Sequence, residues 1–283
     1  MRLLNTSTLL LEGFMTKPPP YAILSHTWVN NEEYIFEDLH NGTGQEKSGY
    51  EKVKTCCQLA ASEGYQYAWI DTCCIDKSSS AELSEAINSM FAWYRDSDTC
   101  YVYLDVDIEA DYLTAQDLTS SRWIHRGWTL QELIAPARVQ FYSRFWMFLG
   151  TRQQLTLPLH EATKIDIDVL YRSNQKNFSL SKFTVAKKMS WAAERETTRP
   201  EDVAYSLFGL FDVHLPPLYG EGSTKAFLRL QEEILRSSVD LSILACTFAK
   251  LVHRLRQYRG VQLICRRYSR EDEQGCLCHR SVD

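Results

Sequence analysis

The segment SRWIHRGWTLQEL, residues 121–133, brings many chemically capable groups close together. It holds two tryptophans, two arginines, a histidine and one carboxylate, Glu132. A guanidinium group such as that of Arg126 binds phosphate oxygens in pairs, and an indole ring such as that of Trp128 offers a flat apolar face to a ligand ring. The segment is therefore either an aromatic structural helix or the edge of a site centred on Glu132.

A second group of polar side chains closes two predicted strands. Ser25, His26 and Trp28 end the strand YAILSHTW, and Asp71 ends the strand YAWID. Doubly wound sheets present their ligand-binding groups at the carboxyl ends of strands, so these four residues are candidates for ligand contact. Two other interpretations stay open: His26 is bonded by the next loop, and Asp71 caps the following turn.

The cysteines favour packing over catalysis or metal binding. Most of the nine lie inside apolar runs, as small buried hydrophobic residues do. Cys73 and Cys74 invite comparison with nucleophiles, but a reactive thiolate needs a neighbouring base or cation, so core packing is the favoured interpretation. The run Cys276-Leu277-Cys278-His279 lacks the second ligand pair that zinc requires, and we predict no metal site.

The stretch YGEGSTKAF does not form a phosphate loop. The pattern GxxxxGK[ST] places lysine directly after its last glycine, whereas Ser223 and Thr224 stand before Lys225 here. We interpret Gly220 and Gly222 as a turn that leads into a helix.

Composition restricts the class of protein. With 283 residues, 45% of them hydrophobic, the chain can bury a large core. Its net charge of -5 argues against a nucleic-acid-binding protein, which needs an excess of Lys and Arg. There is no apolar run of about 18 residues, the length needed to span a membrane, and no signal-peptide cleavage pattern. We therefore expect a cytoplasmic protein that binds neither nucleic acid nor membrane.

Strands and helices alternate along the first half of the chain. Alternation of this kind predicts a parallel sheet covered by helices on both faces. Beyond residue 150 the pattern is mostly helical, and the aromatic residues Phe145, Trp146 and Phe148 are expected in the core. The predicted strands cover 21–28, 67–71, 100–104 and 138–142, and the predicted helices cover 50–62, 79–96, 121–135, 182–195, 200–211 and 223–237.

Five blocks together resemble the fungal heterokaryon incompatibility (HET) domain. They are PPYAILSHTW, YAWIDTCCIDKSSSAELSEAINSMFAWY, RGWTLQELIAP, RPEDVAYSLFGLF and YGEG followed by KAFLRLQEEI, in that family's order. The resemblance implies a role in fungal non-self recognition that ends in cell death. It also implies one HET domain over residues 1–246, followed by a poorly specified basic tail at 247–283.

A more distant similarity connects the chain to Toll/interleukin-1 receptor (TIR) domains, several of which cleave NAD. The TIR catalytic glutamate lies in a Trp-Cys-x-x-Glu-Leu pattern, which WTLQEL matches except that Thr129 replaces the cysteine. The similarity implies an α/β fold: a TIR-like, flavodoxin-like parallel sheet with flanking helices over residues 1–150, followed by a mostly helical second half over 151–246.

The same similarity assigns roles to residues. Glu132 would be the catalytic carboxylate that stabilises a positively charged sugar as nicotinamide leaves. NAD(P) would be a substrate, and no resident cofactor is expected. The substrate-binding candidates are Ser25, His26, Trp28, Asp71, Arg126 and Trp128. In the alternative interpretation, Glu132 only pairs with Arg126 or caps local backbone.

A second functional class stays open. In it the chain is a non-enzymatic signalling module that forms a homo-oligomer or recruits an unidentified protein partner through exposed aromatic surface. The two classes differ in whether Glu132 is needed for the biological effect.

Overall fold

A computed structural model of the protein describes residues 1–107, 113–172 and 178–245. These residues form a seven-stranded sheet in the order β2-β1-β4-β3-β5-β6-β7. The strands are β1 (Arg2–Asn5), β2 (Leu11–Gly13), β3 (Tyr21–His26), β4 (Tyr67–Trp69), β5 (Thr99–Tyr103), β6 (Val139–Tyr142) and β7 (Phe148–Thr151).

The centre of the sheet is parallel, as the alternation of strands and helices predicts. Strands β4, β3, β5 and β6 lie side by side in parallel, and every residue of β3 is buried. Numbered among themselves, the four strands have the order 2-1-3-4, which is the flavodoxin-like order. The order reverses direction between β3 and β5, and this point is where such folds form a crevice for ligands.

Both edges of the sheet are antiparallel and were not predicted. Strand β1 pairs with β2 and with β4, and β7 pairs with β6. These strands have only three or four residues each, too few for an alternating hydrophobic pattern to stand out. The expected flavodoxin-like parallel sheet is therefore confirmed for its centre, and it extends into a mixed sheet at its edges.

Helices cover the sheet and form most of the second half. The mostly helical second half is thus confirmed. The helices are α1 (Phe36–Asn41), α2 (Ser48–Ser62), α3 (Ser80–Arg95), α4 (Ala115–Ser120), α5 (Arg122–His125), α6 (Thr129–Ile134), α7 (Thr156–Thr163), α8 (Ile167–Arg172), α9 (Val185–Ser190), α10 (Asp202–Tyr205) and α11 (Ser223–Ser237).

The helix predicted over 79–96 is α3, and its start follows from its sequence. The Ser79 side chain accepts a hydrogen bond from the backbone N–H of Glu82 at 3.3 Å, as an N-cap residue does. The reciprocal bond of a capping box is absent from this pair, because the Glu82 carboxylate accepts instead from the backbone N–H of Asp76 and from Arg2. Ser79 therefore caps α3 with one of the two hydrogen bonds of a capping box.

The prediction of a single helix over 121–135 is wrong. The segment forms two short helices, α5 and α6, separated at Arg126 and Gly127. The backbone of this break pairs with a distant segment: Gly127 N–H donates to the Glu196 carbonyl at 2.8 Å, and Glu196 N–H donates to the His125 carbonyl at 2.6 Å. Because these bonds come from another part of the chain, local periodicity does not reveal them.

The later helices are shorter than predicted. Of the span 182–195 only α9 is an α-helix, and of 200–211 only α10, followed by a 3-10 turn at Gly209–Phe211. Helix α11 matches the prediction over 223–237.

The core contains the described cysteines and excludes two of the predicted aromatic residues. Cys56, Cys57, Cys73, Cys74 and Cys100 are buried and free, as their apolar context predicts. Phe145 and Phe148 are 57% and 54% exposed, so their assignment to the core is wrong, whereas Trp146 packs against the core. Both exposed rings lie at the sheet edge, where no further strand covers them among the described residues.

None of the helices in the described ranges is long and apolar enough to cross a membrane. The basic tail at 247–283 and its cysteines lie outside the described residues.

Candidate functional site

Glu132 lies beside the carboxyl end of β3, at the point where the strand order reverses. Helix α6 carries it, and the Ser25 hydroxyl of β3 donates a hydrogen bond to its carboxyl group. The residue is only 7% exposed. The sequence interpretation in which Glu132 forms an ion pair with Arg126 is wrong, because Glu132 forms no ion pair within 4.0 Å among the described residues and contacts hydroxyl groups instead.

A chain of directed hydrogen bonds surrounds the Glu132 carboxyl group. Trp123 Nε1 donates to Ser25 Oγ at 2.7 Å, so the serine proton is free to point at Glu132. On the other side, the Tyr94 hydroxyl donates to the Leu24 carbonyl at 2.9 Å and also hydrogen-bonds Glu132. The Tyr94 hydroxyl has a single proton, which is given either to the Leu24 carbonyl or to an ionised Glu132; when it is on Leu24, a protonated Glu132 donates to Tyr94 instead.

The electrostatic environment agrees with a protonated acid. Burial and, to a smaller extent, the negative charge of Asp71 raise the pKa of Glu132 from 4.5 to about 8. The hydrogen bonds from Ser25 and Tyr94 and the charge of Arg126 act in the opposite direction without cancelling burial. In the ligand-free protein Glu132 is therefore mostly neutral at pH 7, and it becomes a carboxylate near pH 8.

A second cluster lies at the carboxyl ends of the same parallel strands and contains His26, Trp28 and Asp71. His26 Nε2 lies 3.1 Å from Asp71 Oδ1, and Trp28 Nε1 donates to the same oxygen at 3.4 Å. Burial would raise the pKa of Asp71, but the Lys77 charge and the His26 hydrogen bond outweigh it and hold that pKa at about 2. Asp71 is therefore a permanent anion that binds His26 at the end of β3 and Trp28 just after it.

Lys77 covers one face of the ring of Trp28, a substrate-binding candidate. Its Nζ lies 3.5 Å from the centre of the indole ring and 3.8 Å from Asp71 Oδ2. This is a cation–π contact of short range. A planar ligand can reach that face of Trp28 only when Lys77 moves, while the 38% exposed ring keeps other surface open.

A buried ion pair under His26 was not predicted from the sequence. Lys52 Nζ lies 2.6 Å from Glu33 Oε1, and both side chains are less than 10% exposed. Glu33 Oε2 is 3.9 Å from His26 Nδ1, and neither of those two atoms has a hydrogen-bond partner in the part of the chain that the structure describes. Lysine and glutamate usually lie on the protein surface, so their residue types do not indicate burial. The one signal in the sequence for a buried Lys52 is its position next to the buried stripe of α2.

Trp128 and Arg126 face the helical half of the chain. Trp128 Nε1 donates to Asp202 Oδ2 at 3.1 Å, and Arg126 Nη1 donates to Thr198 Oγ1 at 2.9 Å. Arg126 is still close enough to Glu132 to lower its pKa. The structure thus places Ser25 directly on Glu132 and gathers His26, Trp28 and Asp71 beside it, whereas Trp128 joins the two halves.

Two buried arginines hold the ends of α6, and sequence reasoning missed both. Arg152 is fully buried and donates to the carbonyls of Leu133, Pro136 and Ala137 at 2.6–3.1 Å, at the C-terminal end. At the N-terminal end, Arg195 donates to Thr129 Oγ1 at 2.8 Å. Cations near a helix C-terminus are favourable, and together these bonds fix the helix that carries Glu132.

Other motifs have structural roles. The Gly220 and Gly222 N–H groups both donate to Glu201 Oε1, at 3.0 and 2.9 Å, so the turn before α11 binds a side chain of the protein itself. A hydrogen bond with Cys74, together with burial, raises the pKa of Cys73, which makes it a poor nucleophile. In the described ranges, no three metal-ligand side chains come together, and Cys276, Cys278 and His279 lie outside those ranges.

Fold and site together define a class: a doubly wound α/β domain with a buried acid at the reversal of its strand order and a helical layer attached through Gly127. Residues 21–120 match the family described as heterokaryon incompatibility protein (HET). The chain is also 50% identical, over 226 residues, to the vegetative incompatibility protein HET-E-1 of Podospora anserina. The chain therefore belongs to the HET domain family.

The aligned region covers 77% of this chain and 16% of HET-E-1, so the chain spans about a sixth of that relative. No solved structure matches the chain significantly.

Proposed function

We propose that this chain is a signalling domain of heterokaryon incompatibility, that it acts in the cytoplasm, and that it triggers cell death by hydrolysing NAD(P). The printed name of its relative, a vegetative incompatibility protein, supports the biological part. The observation that carries the chemical part is the buried acid Glu132, which lies at the crevice position of a flavodoxin-like sheet and bonds the strand residue Ser25.

The reaction we propose breaks the bond between nicotinamide and ribose. Water adds to the ribose carbon, neutral nicotinamide departs with the bonding electron pair, and one proton is released. Positive charge develops on the ribose ring as the bond lengthens, and a carboxylate at Glu132 stabilises it. The cationic nicotinamide ring of bound NAD also favours the ionised form of Glu132, so binding would help to remove its proton.

Basic side chains around this edge supply anchors for the phosphates of the substrate. Arg126 acts electrostatically on Glu132, and Lys77, on which Arg199 acts in turn, lies beside Asp71. Arg122 donates to the Trp28 carbonyl at 3.3 Å, on the same side. On a chain of net charge -5, this grouping of cations favours an anionic ligand.

The functional unit we propose is the HET domain over 1–246, with its α/β part at 1–150 and its helical part at 151–246. The last described residues support a boundary this late. Asp240 Oδ2 accepts from Val185 N–H at 2.7 Å, and Ser242 Oγ accepts from Ala186 N–H at 3.0 Å, so this segment caps α9.

The test is NAD consumption by the purified chain at high protein concentration. We expect nicotinamide release from the native chain and its loss in Glu132→Gln. The substitution Glu232→Gln is a matched control, because Glu232 is exposed on α11 and distant in sequence from the site. Equal turnover by the native and Glu132→Gln chains, both folded, would refute the catalytic assignment.

A second function, self-association without catalysis, is favoured by one observation. Phe145, Met147 and Phe148 expose apolar surface beside β7, the outer strand of the sheet. Exposed edge strands with apolar side chains are sites where another chain can pair. In that case cell death on expression survives Glu132→Ala but is lost, together with oligomers in light scattering, when Phe145 and Phe148 are changed to serine.

A further inference from the structure

A small cavity lies between the break at Gly127 and the helical half of the chain. Its volume is about 20 Å³, which is room for one or two water molecules. Most of its lining atoms are apolar, with one buried cation among the residues. The lining residues are Gly127, Met189, Ala192, Ala193, Arg195, Thr197, Val203, Ser206, Leu207 and Phe227.

The cation in the wall, Arg195, forms no ion pair within 4.0 Å in the described ranges; the charge that acts on it is that of Glu132, which is mostly protonated at pH 7. Its side chain donates to the carbonyls of Trp191 and Arg126, at 3.3 and 2.8 Å, and to Thr129 Oγ1. These acceptors are all neutral, and Nη2 has no hydrogen-bond partner among the described residues. Arg195 is 8% exposed, so water does little to stabilise its charge.

A buried unpaired cation is costly, and an anion at hydrogen-bond distance offsets that cost. The apolar lining disfavours strongly hydrated or doubly charged ions, and the volume excludes any large molecule. We propose that this cavity is a binding site for a small monovalent anion, of the size of formate, held by Nη2 of Arg195. A water molecule would satisfy the N–H but would leave the charge unpaired.

Occupancy would act on the junction of the two halves. The same guanidinium holds the Arg126 carbonyl and the Thr129 hydroxyl at the start of α6. Fixing Arg195 with an anion would therefore stabilise the junction, and the protein as a whole, by ligand binding to the native state. This inference does not depend on NAD hydrolysis, since its readout is stability alone.

The test is the melting temperature of the purified chain as sodium formate replaces sodium gluconate at constant ionic strength. Gluconate has the same charge but is too large for the cavity. We expect a saturable rise in melting temperature with formate. The same melting temperature in both salts would overturn the proposal.

Two variants locate the effect. Ala193→Leu fills the cavity and keeps Arg195, and Arg195→Met removes the charge; we expect neither to respond to formate. Ala81→Leu adds the same bulk at an exposed position of α3 and should respond like the native chain. If Arg195→Met fails to fold, Ala193→Leu decides alone, and an undiminished formate response in Ala193→Leu would contradict the site.

Discussion

The Glu132 proton decides what this residue can do at a given pH. Ser25, Trp123 and Tyr94, the three groups of the hydrogen-bond chain around the Glu132 carboxyl group, are neutral. Their hydrogen bonds are compatible with a protonated Glu132, because no two donors face each other. Stabilising a cation, however, requires the ionised form. The proposed chemistry therefore predicts a dependence on pH that an ordinary exposed glutamate would not give.

We expect kcat/KM for NAD to rise with pH and to level off above about 8, because this parameter reports the ionisation of the free enzyme. Initial rates of nicotinamide release between pH 6 and 9 measure this parameter. This pH range includes the expected pKa of about 8. In Asp71→Asn the inflection should move to lower pH, since the charge of Asp71 raises the Glu132 pKa. A kcat/KM that does not change between pH 6 and 9 in the native chain would contradict ionisation of Glu132 near pH 8 as the controlling step.

The same pKa predicts how stability depends on pH. The native chain keeps the Glu132 proton up to about pH 8, whereas the unfolded chain loses it near 4.5. The contribution of this group is therefore fully present below 4.5 and is lost as pH rises through 8. Glutamine imitates the protonated acid, so Glu132→Gln should match the native chain at pH 5 and exceed it by a few kcal/mol at pH 8.5.

Urea unfolding of both chains at the two pH values measures this difference. Glu232→Gln should follow the native chain at both. A native chain as stable at pH 8.5 as Glu132→Gln would show that the Glu132 pKa is close to its ordinary value.

At the scale of elements, the break between α5 and α6 is the feature that places Glu132. A Cβ atom on Gly127 would lie 2.6 Å from Thr197 Cγ2, which is too close for any relaxed contact. Threonine is branched at Cβ and has little freedom to move away. The tight contact between the break and the segment around Glu196 therefore requires glycine here.

We expect Gly127→Ala to destabilise the chain by about 1–3 kcal/mol, the usual cost of overpacking. Gly13→Ala is the matched control, because nothing lies within 4 Å of a Cβ at that position. The midpoint of urea unfolding measures both. Equal midpoints for the two variants would mean that the contact with Thr197 yields easily and does not fix α6.

Elements with a strong local signal were predictable from sequence. Helix α3 has a serine cap and a regular apolar stripe, and α11 follows a glycine turn; both appear where expected. The edge strands β1, β2 and β7 and the break at Gly127 were not predictable, because their hydrogen bonds come from distant segments. Short elements of this kind are decided by tertiary contacts.

The candidate site also contains some residues that the sequence indicates and others that it does not. Glu132 stood out because of a motif, and Ser25, His26 and Asp71 because they end strands that the fold places side by side. Among their supporting groups, Arg152 and Arg195 show no signal in their local sequence, and Lys52 shows only its position next to the buried stripe of α2. Trp128 shared the motif with Glu132 yet bonds Asp202, a residue 74 positions away in the other half, and local sequence does not show such a contact.

At the scale of the whole molecule, the two halves meet at α6. The α/β half supplies Ser25 and Asp71, and the helical half supplies Arg195, Thr198 and Asp202 to the same few residues. A ligand that binds at the edge of the sheet next to Glu132 is therefore close to groups from both halves. This arrangement would let substrate binding and packing of the helical half affect each other.

The most direct test of the account is the structure of the chain with an unreactive analogue of NAD. We predict that the ribose next to nicotinamide lies beside the Glu132 carboxyl group, with the phosphates toward Arg126 and Lys77 and the two strand ends at Ser25 and Asp71 around the sugar. An analogue bound away from Glu132, or no bound analogue at saturating concentration, would contradict NAD hydrolysis at this site.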